Sequence, residues 1–333
     1  MEKVTGFLKT LQWRAVLGIG VLLAALFSVR SLSDTHLAVS LPDWLQDLLT
    51  LTFSILIESL PFVLLGVFLS IIVQVWLPPG AISRRLPRQG VLRRLYISCF
   101  GVFLPVCECG NLPLARGLIA RGLTPAESLT FLLAAPILNP ITLITTHQAF
   151  QSDIWIVITR AAGALVIANM IGWLFSKHPR QEDMLTPEFA ASCKVHDHEH
   201  SKQAKTFRLF GTELGKIVPA LCIGALIAGL LQVLVPRDVL VSLGSNPALS
   251  ILVMMALAFV IAICSNVDAF FALAFSNTFS VGSLVSFLVF GPMIDIKMLG
   301  LMRTTYRTKV LLQVTLLVAL MSFAIGLGVN YAF

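Results

Sequence analysis

Charged residues are scarce in this chain. Asp, Glu, Lys and Arg make up 12% of its 333 residues, whereas a soluble domain carries roughly 25%. Hydrophobic residues account for 57%, and the mean hydropathy is +0.88. A chain with so little polar surface does not suit a soluble fold, so the composition predicts a polytopic membrane protein that resides in the lipid bilayer.

Two further absences exclude other classes. No G-x-x-x-x-G-K-[ST] motif occurs, so ATP would have to be used by a partner protein. The six cysteines do not suggest a secreted disulfide framework, because most of them fall in apolar segments. The net charge of +7 does not predict a nucleic-acid partner, since the basic residues lie in loops beside membrane spans, as the positive-inside bias requires. We expect no enzyme activity and no cofactor.

Long apolar runs are what the chain has in abundance. A spanning helix needs about 20 mostly apolar residues, and about nine stretches are candidates for such helices. The first ends at Arg30 without a small-residue cleavage site, which favours an uncleaved anchor over a signal peptide. The stretches lie near residues 15–29, 48–77, 95–121, 128–149, 153–175, 213–235, 248–277, 281–302 and 309–331.

The second half of the chain repeats the first. Four positions recur at a constant spacing of 158: Pro61, Gly66, Gln74 and Pro78 match Pro219, Gly224, Gln232 and Pro236. Further on, Cys107 matches Cys264 at a spacing of 157, and residues 129–140 align with 285–296 at a spacing of 156. Apolar matches arise easily by chance, but these residue types in one register indicate an internal duplication.

The duplication defines the predicted organisation. Residues 1–47 form an N-terminal segment with the anchor helix, and residues 48–176 form the first membrane repeat. Residues 177–211 form a hydrophilic linker, which we place in the cytoplasm, and residues 212–333 form the second repeat. The composition of the linker is typical of a mobile loop.

Topology follows from how the segments 95–121 and 248–277 cross. If every stretch spans the membrane, the basic linker lies outside. If these two segments instead enter and return on one side, most of the 24 Lys and Arg lie inside, as the charge rule favours. The second topology gives each repeat an odd number of crossings, so it predicts an all-α fold of two inverted repeats with broken or re-entrant helices at their interface.

Four motifs predict helix breaks at membrane depth. They align in two pairs: PVCECGNLP (105–113) with ICSNVDAF (263–270), and APILNP (135–140) with GPMIDI (291–296). Pro and Gly can simply kink helices for packing. However, backbone released from a helix inside a membrane must be buried in protein or line a wet cavity, and these breaks also carry polar side chains. We therefore interpret them as the substrate path.

The cysteines at the breaks are candidate substrate ligands. Cys107 and Cys109 are two residues apart, and Cys264 occupies the position of Cys107 in the second repeat. If the repeats face each other, up to three sulfurs surround one site, and soft sulfur ligands select Cu(I), Zn or a trivalent metalloid. Buried cysteines are also ordinary packing residues. Asn111 and Asn139 would add polar lining to the substrate path.

Ionisable residues at membrane depth cost about 2.5–3.5 kcal/mol on insertion scales and need a partner or a function. Glu108, Asp268 and Asp295 are therefore candidates for proton coupling. A static pair of Asp295 with Lys297 is the alternative. In the linker, a weak candidate metal site has the spacing C-x2-H-x-H-x-H, with the ligands Cys193, His196, His198 and His200.

At these motifs the sequence resembles the predicted-permease family, which includes the YraQ-type permeases and the organoarsenical efflux permeases. The shared motifs are a C-x-C pair followed by Gly, A-P-x-x-N-P, C-S-x-x-D-A-F and G-P-M-x-D-I-K. The resemblance implies a bacterial inner-membrane permease with Cys107 and Cys109 near the substrate path, and with Asn139, Asp268 and Asp295 as family motif positions. Glu108 and Asn111 depart from the family pattern, which expects a small and an apolar residue there.

These observations predict a multi-pass permease, a secondary transporter that exports a small thiophilic solute such as a trivalent organoarsenical or a soft metal, with protons as the coupling ion that the buried acids suggest. Two alternatives stay open. One is a membrane thiol–disulfide carrier, although the carboxylate of Glu108 would disfavour the reactive thiolate. The other is the membrane subunit of a larger permease complex. The chain could assemble as a homo-oligomer or with a partner subunit.

Overall fold

The structure is a computed structural model that describes residues 42–332, apart from 79, 81–83, 85, 88–89, 104–106, 152, 195–201 and 235–246. The predicted anchor helix near 15–29 lies outside the described residues. The described chain is helical, and its only β contact is an isolated bridge. Its α-helices are α1 Asp43–Trp76, α2 Gly90–Ser98, α3 Phe100–Phe103, α4 Glu108–Ala120, α5 Pro125–Ala134, α6 Pro140–Ala149, α7 Ile154–Ser176, α8 Pro187–Lys194, α9 Lys202–Leu234, α10 Pro247–Ile261, α11 Asp268–Leu273, α12 Val281–Met293, α13 Ile296–Met302 and α14 Thr308–Ala332.

Five helical segments in this part of the chain are long and apolar enough to span a membrane: Asp43–Trp76, Ile154–Ser176, Thr206–Leu234, Val281–Met302 and Thr308–Ala332. The sequence predicts about nine stretches. The difference arises because one of the nine, near 15–29, lies outside the described residues and three others are not continuous helices. The segment 95–121 is divided among α2, α3 and α4, the segment 128–149 between α5 and α6, and the segment 248–277 between α10 and α11.

All four predicted breaks are confirmed as helix ends. The helix α4 begins at Glu108, and α6 begins at Pro140 after the cap residue Asn139. In the second half, α11 begins at Asp268 and α13 follows the cap residue Asp295. At both caps a side-chain oxygen accepts a hydrogen bond from a backbone N–H of the new helix, which satisfies one of the donors that a helix start leaves open.

The broken segment of the first half starts and finishes at one end of the molecule. The Gly80 N–H donates to the Arg121 carbonyl at 3.3 Å, so the end of α4 lies beside the residue that follows α1. Arg93, near the start of α2, forms an ion pair with Glu127, in the first turn of α5. The chain therefore enters through α2 and returns through α4 to the same end. We call this the linker end, because Phe189 of the linker helix α8 packs on Arg116 near the end of α4.

The broken segment of the second half starts and finishes at the opposite end. The hydroxyls of Ser250 and Ser283 lie 2.7 Å apart, which joins the starts of α10 and α12. The Gly282 N–H donates to Asn330 at 2.8 Å, near the last residue of α14. Because α14 starts beside the linker and rises about 1.5 Å per residue, Asn330 lies roughly 33 Å from the linker end. We call this the far end.

Close backbone approach brings α4 against α1, and α13 against α9. A Cβ at Gly66 in α1 would collide with the backbone of Gly110 in α4. A Cβ at Gly224 in α9 would lie 3.1 Å from the Cα of Lys297 in α13. Both glycines belong to the repeated set in the sequence. Their lack of a side chain lets α4 and α13, the helices that carry Glu108 and Lys297, each pack closely against a long helix, which is the usual role of small residues between membrane helices.

The expectation of a mobile linker is wrong for residues 177–194. This part forms a 3₁₀ turn at Gln181–Met184 and then the helix α8. Leu185 pairs with Tyr306 in an antiparallel bridge, and the Arg307 N–H donates to the Met184 carbonyl at 2.9 Å. Met184, Leu185 and Phe189 are buried. These few apolar side chains in a polar segment dock it on the loop between α13 and α14.

Candidate functional site

A charged cluster forms where the breaks of the two halves meet. Glu108, in the first turn of α4, accepts a bond from the Lys297 ammonium group at 3.1 Å. The other oxygen of Glu108 lies 3.3 Å from the Ser265 hydroxyl and 3.9 Å from the Cys264 sulfur. Asp295 lies 3.9 Å from the same ammonium group. All of these groups are buried, so the cluster lies deep in the protein.

Lys297 is held in place by the break between α10 and α11. Its ammonium group also donates to the Ala262 carbonyl at 3.0 Å. Ala262 has φ of 51°, a left-handed conformation that costs energy for a residue with a side chain. The carbonyl is released from helical bonding because α10 ends at Ile261. The break thus supplies a ligand oxygen to the cation. The predicted static pair of Asp295 with Lys297 is present, but the ammonium group lies closer to Glu108, at 3.1 Å, than to Asp295, at 3.9 Å.

The cysteines surround the same carboxylate. The sulfurs of Cys107 and Cys264 and an oxygen of Glu108 all lie within 4.8 Å of one another. Cys109 follows Glu108 directly in α4. The Cys109 sulfur also lies 3.6 Å from the Ser59 hydroxyl of α1. The structure therefore brings Cys107 and Cys264 together at Glu108, while the thiol of Cys109 contacts Ser59, and all three cysteines are free thiols.

We call Cys107, Glu108, Cys264, Asp295 and Lys297 the central cluster. Two carboxylates share one ammonium group in it, and two thiols lie beside the carboxylate of Glu108. Such a set can take up a soft cation through sulfur and oxygen ligands. Desolvated charges of this kind persist in a membrane protein only when they pair with each other or line a solute path.

Asp268, the third predicted acid, lies in a separate ion pair. Both of its oxygens accept from Arg160 in α7, at 3.0 and 2.5 Å. Arg160 also donates to the Thr146 hydroxyl of α6 at 2.7 Å. The bidentate arrangement is the strong form of this interaction. Sequence reasoning missed Arg160, although a lone arginine inside the apolar stretch 153–175 was the signal that could have found it.

A third buried ion pair lies toward the linker end. Arg116 in α4 binds Glu213 in α9 at 2.8 Å. One of its Nη atoms donates to the Thr304 carbonyl and to the Thr305 hydroxyl, at 3.1 and 3.0 Å. The ring of Phe189 in α8 covers the guanidinium group at 4.3 Å. The sequence did not suggest this pair, because its two charges are far apart in the chain and each falls near a segment end.

The predicted polar lining residues are placed on both sides of the cluster. Asn111 is buried in α4, one turn after Glu108. Asn139 is buried at the start of α6, where its Oδ1 accepts from Ile141. One turn along α6, the Thr142 hydroxyl lies 3.1 Å from the Asn266 side chain of the second break. The start of α6 therefore also faces the other half of the molecule.

The predicted linker metal site is only partly described. Cys193 lies in α8 and is partly buried, and this burial raises the pKa of its thiol above the ordinary value. A raised pKa keeps the thiol protonated near neutral pH, which disfavours metal binding or nucleophilic attack there. His196, His198 and His200 lie outside the described residues. The cluster therefore stays a prediction.

The chain is similar to proteins of a known family. A family model described as "Predicted permease" matches residues 44–331, which include both halves and every member of the central cluster. The chain belongs to this predicted permease family. No solved structure matches significantly.

Two curated relatives cover most of the chain. One, from Streptococcus mutans serotype c (strain ATCC 700610 / UA159), is 35% identical over 281 residues, which is 82% of this chain and 91% of the relative. Its name is "Putative two-component membrane permease complex subunit". The other, the UPF0718 protein YcgR of Bacillus subtilis (strain 168), is 39% identical over 269 residues, 80% of this chain and 92% of the relative.

The family and the five long apolar helices together establish a multi-pass protein of the cell membrane, as the sequence predicted. The family description makes it a predicted membrane permease. Neither that description nor the names of the two relatives states a solute.

Proposed function

We propose that this permease is a secondary transporter that exports a small thiophilic solute, a trivalent organoarsenical or a soft metal ion, through the central cluster. The observation that carries the proposal is the meeting of Cys107, Glu108 and Cys264 within 4.8 Å, all three buried. Sulfur ligands favour soft cations over Na or Mg. The ligands come from both halves, so movement of one half against the other would make and break the site.

Proton coupling belongs to the same proposal. Glu108 and Asp295 share the single cation of Lys297, which leaves one carboxylate charge uncompensated and able to accept a proton or a cationic solute. Asp268 has a cation of its own in Arg160. We therefore assign the main coupling role to Glu108 and Asp295, and a lesser one to Asp268. Transport rather than enzyme catalysis is what we expect of this site.

An arrangement of two inverted repeats would explain why such a site lies between the halves. In the proposed duplication, helices α1, α5, α6 and α7 would have α9, α12, α13 and α14 as their counterparts. Asn139 and Asp295, 156 positions apart, cap equivalent helices. The broken segment of the first half opens at the linker end and that of the second half at the far end. These features support inversion, the plan in which broken helices meet at a central site.

A second candidate function is the membrane subunit of a two-component permease. The name of the Streptococcus mutans relative favours it. In that case the central cluster would belong to a path completed or driven by another protein. Purification of the chain from its native membrane with a stoichiometric partner would support this candidate, and a chain that transports alone in liposomes would exclude it.

The test of the leading proposal is a titration of purified protein with methylarsenite and with silver(I). We expect one binding event that Cys107→Ser and Cys264→Ser each weaken at least tenfold. Cys222→Ser is the matched control, because Cys222 lies in α9 outside the cluster. Binding that none of the cluster substitutions changes would show that these cysteines serve packing only.

A further inference from the structure

We propose that two buried ion pairs, Arg116–Glu213 and Arg160–Asp268, are the two gates of the transport path, one on each side of the central cluster. The inference rests on the proposed function, since a gate requires a site to enclose. It adds Arg116, Glu213 and Arg160 as residues that control access to the solute rather than bind it.

The central cluster is closed off in this structure. Cys107, Glu108 and Lys297 each expose only 1% of their surface, and Cys264 exposes 3%. A solute can therefore reach the thiols only after some contact between the two halves opens. Contacts that are buried, charged and formed between the halves are the natural candidates, because they hold two packed bodies in one of two discrete arrangements.

Both pairs join one half to the other. Arg116 in α4 of the first half binds Glu213 of α9 and the loop residues Thr304 and Thr305, all in the second half or at its start. Arg160 in α7 of the first half binds Asp268, the first residue of α11. By contrast, the pair Arg93–Glu127 stays within the first half, between α2 and α5.

The two pairs lie on opposite sides of the cluster. Arg116 follows Glu108 by eight residues in α4, which places it about 12 Å nearer the linker end. Glu108 precedes the last residue of α4 by 12 positions, about 18 Å from the linker end, whereas Arg160 precedes the last residue of α7 by 16 positions, about 24 Å from it. Arg160 therefore lies roughly 6 Å beyond Glu108 on the far side. Its partner Asp268 belongs to the segment that enters from the far end. One pair thus closes the path toward each end.

The described part of the linker, residues 177–194, packs on the linker-side gate. The Phe189 ring covers the Arg116 guanidinium group at 4.3 Å, and the Thr186 N–H donates to the Thr305 carbonyl at 2.9 Å. Thr305 is itself a partner of Arg116. The docked linker segment therefore braces the closed form of the linker-side gate, and its release would favour opening toward the linker end.

The test measures how fast Cys107, Cys109 and Cys264 react with a membrane-impermeant methanethiosulfonate, added to right-side-out or to inverted vesicles and quantified by mass spectrometry. The linker side is defined by a cysteine introduced as His178→Cys. In the unaltered protein we expect slow reaction from both sides. Glu213→Gln should speed it at least tenfold from the linker side only, and Asp268→Asn at least tenfold from the far side only.

Phe189→Ala should speed the reaction from the linker side, whereas Phe189→Tyr, which keeps a ring over Arg116, should not. Arg93→Gln is the matched control, because it removes an ion pair at the linker end that does not join the halves. If a single substitution prevents folding, the double variants Arg116→Met with Glu213→Leu and Arg160→Met with Asp268→Leu remove each pair without leaving a buried charge unpaired.

Folded variants that react at the unaltered rate from both sides, or that open both sides together, would overturn the gate proposal. Silver(I) titration of the same variants in detergent separates this failure from failure of the proposed function. Intact silver binding with no sided reactivity rejects the gates alone. Silver binding that survives Cys107→Ser and Cys264→Ser rejects the proposed site, and the sided reactivity then still decides whether the two pairs control access.

Discussion

Lys297 is the residue on which the central cluster depends most. Its ammonium group is buried and contacts Glu108, Asp295 and the Ala262 carbonyl. A buried pair contributes little net stability compared with an apolar replacement of both partners, but the loss of one partner strands a charge. The lysine is therefore better understood as the countercharge that makes two acids tolerable at this depth than as a source of stability.

From this follows a prediction for Lys297→Met. It leaves Glu108 and Asp295 buried without a cation, and we expect it to lower the free energy of unfolding in detergent by about 3–5 kcal/mol. Lys309→Met is the matched control and should change it little, since Lys309 is exposed at the start of α14. Equal stability of the two variants would show that the carboxylates do not need the ammonium group.

Gly66 gives a second prediction at the residue scale. A Cβ there would overlap the Gly110 backbone, which cannot move aside as a flexible side chain could. Gly66→Ala should therefore lower the free energy of unfolding by at least the roughly 1–3 kcal/mol that is typical of overpacking. Gly215→Ala, at a helical glycine with open space around it, should be neutral or slightly stabilising. Thermal unfolding in detergent compares them, and a harmless Gly66→Ala would mean that α1 and α4 can separate.

At the scale of elements, the short helices on either side of each break matter more than the long ones. The breaks after α5 and α12 are each closed by a cap, Asn139 or Asp295. Each cap satisfies one of the backbone donors that a helix start leaves open inside the protein. In α5 the same principle appears at the linker end, where Thr124 and Glu127 form a reciprocal capping box. At these helix starts a side chain thus replaces part of the backbone hydrogen bonding that the interruption removes, whereas the helices that begin at Glu108 and Asp268 have no side-chain cap.

The docked part of the linker is an element that can be tested directly. The Arg307 side chain donates to the Leu185 carbonyl at 3.1 Å. Arg307→Ala removes that bond, worth about 1 kcal/mol, and should raise amide hydrogen exchange in residues 184–190 about fivefold. Lys309→Ala is the control. Exchange that is already fast in the unaltered protein would contradict the docked position.

For the whole molecule, the direction of the two halves decides what the protein presents to each side of the membrane. His178 and Arg303 lie at the linker end, while Gln151 and Tyr331 lie at the far end. All four are exposed. His178 and Arg303 lie at the linker end, near most of the basic residues. The positive-inside rule predicts that this end faces the cytoplasm.

We therefore predict that His178→Cys and Arg303→Cys react with an impermeant thiol reagent only in inverted vesicles. Gln151→Cys and Tyr331→Cys should react only in right-side-out vesicles. Labelling of the four variants by mass spectrometry decides the question. A linker residue that reacts from outside, or two ends that react from the same side, would contradict the inverted arrangement.

The helix breaks and the pair of Asp295 with Lys297 could be predicted from the sequence, but the other buried ion pairs could not. The four breaks could be recognised because Pro, Gly and Asn are rare inside a continuous apolar helix and interrupt its hydrogen bonding. Cys107, Cys264 and Glu108 could be named because they fall at those breaks. Arg116, Arg160 and Glu213 were missed, because an ion pair depends on two residues whose distance in space has no counterpart along the chain.

By itself, the sequence determined that this chain is a multi-pass membrane protein with helix breaks at four motifs, because composition and local residue preference suffice for both. Only the tertiary structure decided that Lys297 pairs more closely with Glu108 than with its neighbour Asp295, that Asp268 pairs with Arg160, and that residues 177–194 dock on the protein. Each of these contacts joins groups that are distant in the sequence. Packing determines which groups lie within reach, and buried charges then pair because the surrounding medium cannot solvate them.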